Sequence, residues 1–268
     1  LLQGDAVGQL KSAIKMLARS GSVRFVRDHF AGKPADPLAS LRWQGSEVFY
    51  RPGTSDSALI YNILLKRGSK SEYCPPPQFT MAPASVRTIL DIGANIGVSA
   101  VYLRKHFVNA HVHAFEPAPA NVAVLERNAK SVGQMSVHGF ALGDADGELE
   151  LFESDNPSNY GGFSAHGMGV DSSRSTRVPV RRTDRALAEL GIGSVDIIKI
   201  DTEGAEWEIL STMAPEMLRG AKLIMGELHG RRDFLLLDLL QPTFNIGLHK
   251  NVGNRLFNFF AVNRSLSG

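Results

Sequence analysis

Leu90-Asp91-Ile92-Gly93-Ala94-Asn95-Ile96-Gly97-Val98-Ser99 decides the fold of this chain. Before it, Val86-Arg87-Thr88-Ile89-Leu90 is a short, largely apolar, β-branched run that reads as a buried strand. After it, Val98 to His106 reads as a helix. The strand is therefore expected to end at Asp91, with a glycine-rich turn and a helix starting near Ile96. In an α/β sheet such a turn lies at the carboxyl edge of the strands, where ligands bind. Gly93 permits the tight turn, and Gly97 permits close approach of a helix or a ligand. The helix start is expected to present free N–H groups to an electron-rich partner, and Asp91 suits a ligand with a positive amino group. The G-x-x-x-G spacing is not the G-x-G-x-x-G that cradles a pyrophosphate, and no Gly-Lys-Ser/Thr follows to make a P-loop. A tight βα turn without a ligand is the alternative.

Strand and helix patterns alternate downstream. His111 to Phe115 is a second strand ending at Glu116-Pro117, with a helix over Ala118 to Ser131. Met135 to Phe140 is a third strand, running into Ala141-Leu142-Gly143-Asp144. Alternation of this kind builds right-handed βαβ units in a parallel sheet. Gly147 to Glu153 and Thr176 to Arg182 are strand-like, joined by an Asn-, Ser- and Gly-rich loop over 155–175. Val195 to Ile200 is a further buried strand, ending in Asp201-Thr202-Glu203-Gly204-Ala205-Glu206 and a helix to Leu210. Lys222 to Leu228 follows, ending at Glu227-Leu228-His229; a short helix over 233–240 and strand-like runs over 244–249 and 256–262 close the chain.

The strand ends are acidic: Asp91, Glu116, Asp144, Asp201 with Glu203, and Glu227. In a parallel sheet they share one edge, where clustered acids raise one another's pKa values. Glu116, at the end of the second strand, is placed to accept both hydroxyls of a ribose; a helix N-terminal acid is the structural alternative.

Upstream, Leu10, Ile14, Leu17, Val23, Val26 and Phe30 recur at helical spacing. They fit a cap on the main domain, a partner-binding helix pair or an oligomer contact, capping being the simplest. Leu41 to Arg51 reads as a hairpin around Gln44-Gly45. In Arg51-Pro52-Gly53-Thr54-Ser55-Asp56 a turn and an N-cap open a helix through Leu65; Arg51, Thr54 and Asp56 either do only this or border a ligand. Proline-rich 69–84 reads as an extended crossing segment. The expected division is a helical and hairpin cap over 1–84 and a ligand-binding domain over 85–268.

Asp91-Ile92-Gly93-Ala94-Asn95-Ile96-Gly97 followed by Phe115-Glu116-Pro117 resembles S-adenosylmethionine-dependent methyltransferases. Lys199-Ile200-Asp201-Thr202-Glu203-Gly204-Ala205-Glu206, with the Arg51–Asp56 and Ala141–Asp144 stretches, resembles the FkbM family among them over about residues 48–230. The resemblance implies an α/β, Rossmann-like seven-stranded sheet of order 3-2-1-4-5-7-6 whose last strand is antiparallel, preceded by the N-terminal extension. It implies S-adenosylmethionine over strands one and two: Gly93, Ala94, Asn95 and Gly97 at the methionine end with Asp91 nearby, Glu116 on the ribose, Phe140, Ala141 and Leu142 flanking adenine. Asp201 would approach the methionine amino group or the acceptor. Family members methylate hydroxyls of macrolides, sugars and glycans, so the expected acceptor is a small-molecule or glycan hydroxyl.

Methyl transfer to a hydroxyl is accelerated by alignment, water exclusion and a base. Asp201, Glu203, Glu227 and His229 are the candidate catalytic groups, and the usual titration range of histidine suits His229 to the task. His113, inside a strand, reads as a packed core residue. Asp201, Glu203 and Glu227 offer oxygens for a divalent cation such as Mg²⁺, which the motifs do not require; no metal ligand set is assigned. Asn159, Tyr160, Phe163 and Ser164 in the long loop are candidates for a lid. A non-catalytic binding protein on the same fold and a nicotinamide-dependent oxidoreductase are the competing readings. The second lacks its fingerprint.

A formal net charge of +2 and the absence of an Asn/Asp-Pro-Pro-Tyr/Phe motif speak against nucleic acid. Cys74, the single cysteine, reads as a loop thiol and excludes an intrachain disulfide, which fits a reducing, cytoplasmic setting. No apolar run is long enough to span a membrane, and no secretory signal is visible.

Overall fold

The computed structural model describes residues 6–31, 38–154, 163–164, 170–229, 231–250 and 257–266. Two helices come first, α1 (Ala6–Ser20) and α2 (Val23–Phe30). Gly21 turns between them at φ +65°, and the Ser22 hydroxyl caps α2 by accepting from the Phe25 amide at 3.1 Å. The pair does cap the core, but through Met16 and Phe25, which are fully buried. Of the periodic stripe, Leu10, Ile14, Leu17, Val23 and Phe30 are exposed.

The hairpin β1 (Ala39–Trp43) and β2 (Ser46–Tyr50) closes on Gln44-Gly45, both at positive φ, as a two-residue loop of this twist requires. Helix α3 (Asp56–Ile60) passes into a π-helical turn over Tyr61–Leu65. After the proline-rich crossing come β3 (Thr88–Ile92), α4 (Val98–His106), β4 (His111–Phe115), α5 (Pro119–Val132) and β5 (Met135–His138). The next strands leave the main sheet: β6 (Ala141–Gly143), β7 (Gly147–Ser154), β8 (Phe163–Ser164) and β9 (Val170–Arg182) form a separate sheet of order β6-β9-β7-β8. Asn159 and Tyr160 of the expected lid lie outside the described residues. The chain returns through α6 (Thr183–Glu189), β10 (Ile197–Ile200), α7 (Glu206–Thr212), α8 (Pro215–Gly220), β11 (Leu223–Leu228), α9 (Leu235–Leu240), β12 (Phe244–Lys250) and β13 (Phe257–Asn263).

The main sheet runs β5-β4-β3-β10-β11-β13-β12. Strands β5 to β11 are parallel, and β13 is antiparallel to both of its neighbours. Each central strand divides its side chains between two cores. On β3, Ile89 enters one and Leu90 and Ile92 the other; on β10, Ile197 enters the first and Ile198 and Ile200 the second. The first core also holds Met16, Phe25, Tyr50 and Ile63, so the N-terminal segment packs directly on the sheet. Helices α6 and α8 escape the sequence reading because at seven and six residues they are too short to show a helical period.

Candidate active site

Asp91 and Lys199 are register partners on the adjacent strands β3 and β10. Period two sends both side chains to the same face as Ile89 and Ile197, where neither meets water: Asp91 is 0% and Lys199 2% exposed. They pair at 3.1 Å. Asp91 also accepts from the Ser99 hydroxyl at 2.6 Å. Burial works against the Lys199 charge, but Asp91 and Asp201 outweigh it and raise its pKa. Lys199 also donates to the Gly93 carbonyl at 2.8 Å and faces the Tyr73 ring at 5.2 Å. Asp91 therefore stands behind the glycine turn and braces it; it does not line the cleft as a contact for a ligand amino group.

The turn is closed internally. Gly93 and Ala94 N–H donate to the Phe115 carbonyl, Asn95 N–H to Glu116, Ile96 N–H to its neighbour's Oδ1, and Gly97 N–H to the Ala94 carbonyl. The amides of 93–97 are thus spent in shaping the loop. Asn95 sits at φ +51°, a left-handed conformation that Asn tolerates better than most residues. Gly93, at φ +77°, lies so close to the Asp201 carbonyl that a Cβ would collide with it. At Gly97 the close approach comes from Leu125 of α5. Gly97 is a packing glycine, not part of the cleft lining.

One cleft runs across the carboxyl edge of the sheet. Gly93, Ala94, Asn95, Glu116, Phe140, Ala141 and Leu142 line it, as do Asp201 and Glu203. Glu116 is 6% exposed and accepts from Asn95 N–H at 2.8 Å, Ala118 N–H at 3.0 Å and Asn121 Nδ2 at 3.3 Å. Burial raises its pKa against those hydrogen bonds. Asn121 is in turn held by Arg51 at 2.9 Å, whose guanidinium is clamped by Asp56 through two 2.8 Å bonds. Arg51 and Asp56 thus stand one side chain behind the cleft. Thr54 helps close their turn, accepting from Asp56 N–H and donating to the Arg51 carbonyl. Asp144 is exposed on the β6–β7 turn and does not join the acidic edge.

Behind the Asp201–Glu203 end of the cleft the acids converge on one histidine; of the four candidate catalytic groups Asp201 and Glu203 line the cleft, and Glu227 and His229 do not. His229 is 10% exposed, and its Nδ1 donates to Glu206 at 3.1 Å. Its Nε2 faces Asp201 at 3.6 Å, Glu203 at 3.7 Å and Glu227 at 3.5 Å. Burial disfavours the imidazolium, but the hydrogen bonds to Glu206 and Glu227 and the surrounding negative charge win, pushing the His229 pKa up to about 11. The usual histidine range therefore does not apply, and at neutral pH this ring is a cation. The same contact to His229 holds Glu227 below the ordinary carboxylate range. Asp201 accepts from the Tyr73 hydroxyl at 3.0 Å, and Asn258 donates to Glu227 at 2.9 Å. Fully buried Glu206 folds the loop: it accepts from Thr202 N–H at 2.7 Å and Gly204 N–H at 3.0 Å. Glu203, at φ +60°, is brought over the cleft by that loop. Among the described residues, the one group with the spacing of a metal centre is Asp201, Glu227 and His229, whose ligand atoms lie within 4.8 Å of one another.

Tyr73, Asn121, Lys199 and Glu206 were not singled out from the sequence as site residues. Lys199 did carry a signal, since a lone lysine on an otherwise apolar buried strand requires a buried partner. His113 is half-buried and outside the hydrophobic cores, stacked on His138 with Nδ1 3.2 Å from that ring's Nε2. Burial and His111 push both rings down to about 4.

A parallel sheet that switches direction at its far edge, with a glycine turn after its first strand and a buried acid after its second, defines a Rossmann-like fold of the methyltransferase class. The chain belongs to the FkbM methyltransferase family: the model of the methyltransferase FkbM domain matches residues 91–247. It is 27% identical over 179 residues to the AMB antimetabolite synthetase AmbE of Pseudomonas aeruginosa, covering 54% of this chain and 8% of that protein. It is 25% identical over 170 residues to the 31-O-demethyl-FK506 methyltransferase FkbM of Streptomyces tacrolimicus, covering 53% and 65%. To the 2-O-methyltransferase NoeI of Sinorhizobium fredii it is 28% identical over 184 residues, covering 59% and 72%. The first two are thus spanned over less than two thirds of their length. No described helix is long and apolar enough to cross a membrane.

Proposed function

We propose that the chain is an S-adenosylmethionine-dependent O-methyltransferase acting on a hydroxyl of a sugar, glycan or secondary metabolite. The observation that carries this reading is the single cleft joining Glu116 and Phe140–Leu142 to Asp201 and Glu203. Its donor set fits the cofactor: a buried carboxylate for ribose hydroxyls, an aromatic and aliphatic wall for a base, and the Asp201 carboxylate beside the glycine turn for an ammonium group. When bound, S-adenosylmethionine supplies an electrophilic methyl group on a sulfonium. Gly93, Ala94 and Asn95 would hold its methionine end and Glu116 its ribose.

The acidic end of the cleft handles the acceptor. Asp201 and Glu203 border the cleft and take the hydroxyl proton. His229, held by Glu206 and Glu227 behind the cleft lining, faces Asp201 at 3.6 Å and orients that carboxylate toward the acceptor. Tyr73 fixes the Asp201 carboxylate by its 3.0 Å hydrogen bond. A second reading rests on the Asp201–Glu227–His229 spacing. Two carboxylates and an imidazole whose other nitrogen is anchored on Glu206 suit Mn²⁺ or Zn²⁺ better than Mg²⁺. A cation there, reaching the cleft on the side of Asp201, would acidify the acceptor hydroxyl.

Calorimetric titration with S-adenosylhomocysteine tests the reading. Micromolar binding by the wild type, weakened tenfold or more in a folded Glu116→Gln variant, supports it. No binding by folded wild type overturns it. Acceptor panels assayed with chelator and with added Mn²⁺ then separate the two chemistries.

A further inference from the structure

Helix α1 shows three faces. Met16 points into the core and is 1% exposed. Leu10, Ile14 and Leu17, at i, i+4 and i+7, form a stripe that is 61%, 59% and 40% exposed. Lys11 and Lys15 follow one position behind Leu10 and Ile14, about 100° further round, and are exposed. Helix α2 repeats the pattern: Phe25 is buried, Val23 is 73% and Phe30 43% exposed, and Arg24 and Arg27 are exposed beside them.

The charge is concentrated here. Residues 6–30 hold five of the chain's 29 cations and one of its 27 acids, leaving 24 cations against 26 acids elsewhere. That one acid, Asp28, is buried, accepting from the Tyr50 hydroxyl at 3.0 Å. Arg19 turns inward onto Tyr61. Arg24 and Arg27 pair with Asp28 at 3.6 Å and 3.0 Å, two cations against one acid, and Lys11 and Lys15 flank the exposed aliphatic stripe of α1.

We propose that the α1–α2 surface docks on an anionic lipid bilayer. An exposed apolar stripe edged by lysines and arginines is what inserts at a negatively charged membrane interface: the apolar side chains enter the acyl boundary and the cations meet the headgroups. A two-fold contact between copies would set the same cations against one another. Nucleic acid offers no partner for exposed Leu10, Ile14 and Val23.

Cosedimentation of the full chain with vesicles of phosphatidylcholine, and of phosphatidylcholine with one third phosphatidylserine, tests this. Binding is expected to be roughly tenfold or more tighter on the serine-containing vesicles, as the excess of cations over Asp28 on this surface implies, and to fall with salt. Lys11→Gln with Lys15→Gln should remove most of the difference, and Leu10→Ser with Ile14→Ser should abolish binding while the cofactor site still titrates. These positions lie outside both cores, so circular dichroism should be unchanged. Equal or absent recovery on the two vesicle types overturns the proposal. A wild-type dimer in analytical ultracentrifugation that becomes monomeric in Leu10→Ser with Ile14→Ser, without vesicle binding, also overturns it and makes the face a contact between copies.

Discussion

Replacing Asp91 separates a bracing role from a ligand-binding one. In Asp91→Ala the Lys199 ammonium loses its 3.1 Å partner while remaining 2% exposed, left with a backbone carbonyl, an aromatic face and the Asp201 charge nearby. Removing one member of a buried pair costs about 3–5 kcal/mol, because the remaining charge has no solvent to turn to. With a denaturant dependence of about 3 kcal/mol per molar urea, the unfolding midpoint drops by roughly 1 M or more. Asp91→Leu with Lys199→Met exchanges the pair for apolar side chains and should restore most of that stability. It should not restore affinity for S-adenosylhomocysteine, since the Lys199 bond to the Gly93 carbonyl is still missing and the turn is loose. Urea unfolding followed by calorimetry on all three proteins gives the answer. If Asp91→Ala keeps wild-type stability and loses only binding, Asp91 touches the ligand and the bracing argument is wrong.

Gly93→Ala should destabilise the protein and abolish cofactor binding, because its Cβ meets the Asp201 carbonyl at a positive φ; Gly133→Ala, also at positive φ but with open space around it, is the control by thermal denaturation. Proton NMR should find the His229 ring protonated up to about pH 10, with no transition near 6.5; a raised pKa means that its contribution to stability is full below about 6.5 and fades as pH rises toward 11. Replacing Glu206 by Gln should bring that titration down and weaken the loop it folds. His113 and His138 carry the opposite sign: their depressed pKa values make the folded protein lose stability as pH falls from about 6.5 to about 4. A melting temperature measured across that window should fall less in His113→Gln than in wild type.

The contrast between Glu116 and Asp91 shows what a sequence can and cannot disclose about this site. Both are acids at strand ends, twenty-five positions apart, and local pattern treats them alike. Glu116 falls one residue beyond β4, where the strand has run out and the side chain lines the cleft. Asp91 falls one residue inside β3, so strict alternation turns it into the core. A one-residue error in a strand end therefore converts a structural brace into a ligand. The brace also depends on the register of β3 against β10, a relation between positions 108 residues apart that local periodicity does not encode. Tyr73 is hidden for a related reason: it lies on an irregular proline-rich crossing whose path is set by the sheet it crosses. His229 could be placed at the acidic edge from the end of its strand, but its protonation state could not. That state follows from four carboxylates delivered by the β10–α7 loop and β11 acting together. Helix α1 is the same lesson at the surface. Its periodicity identifies an apolar face correctly, yet among the described side chains of α1 the one fully buried is Met16, on a different face. The conspicuous stripe is therefore free to meet something outside the chain.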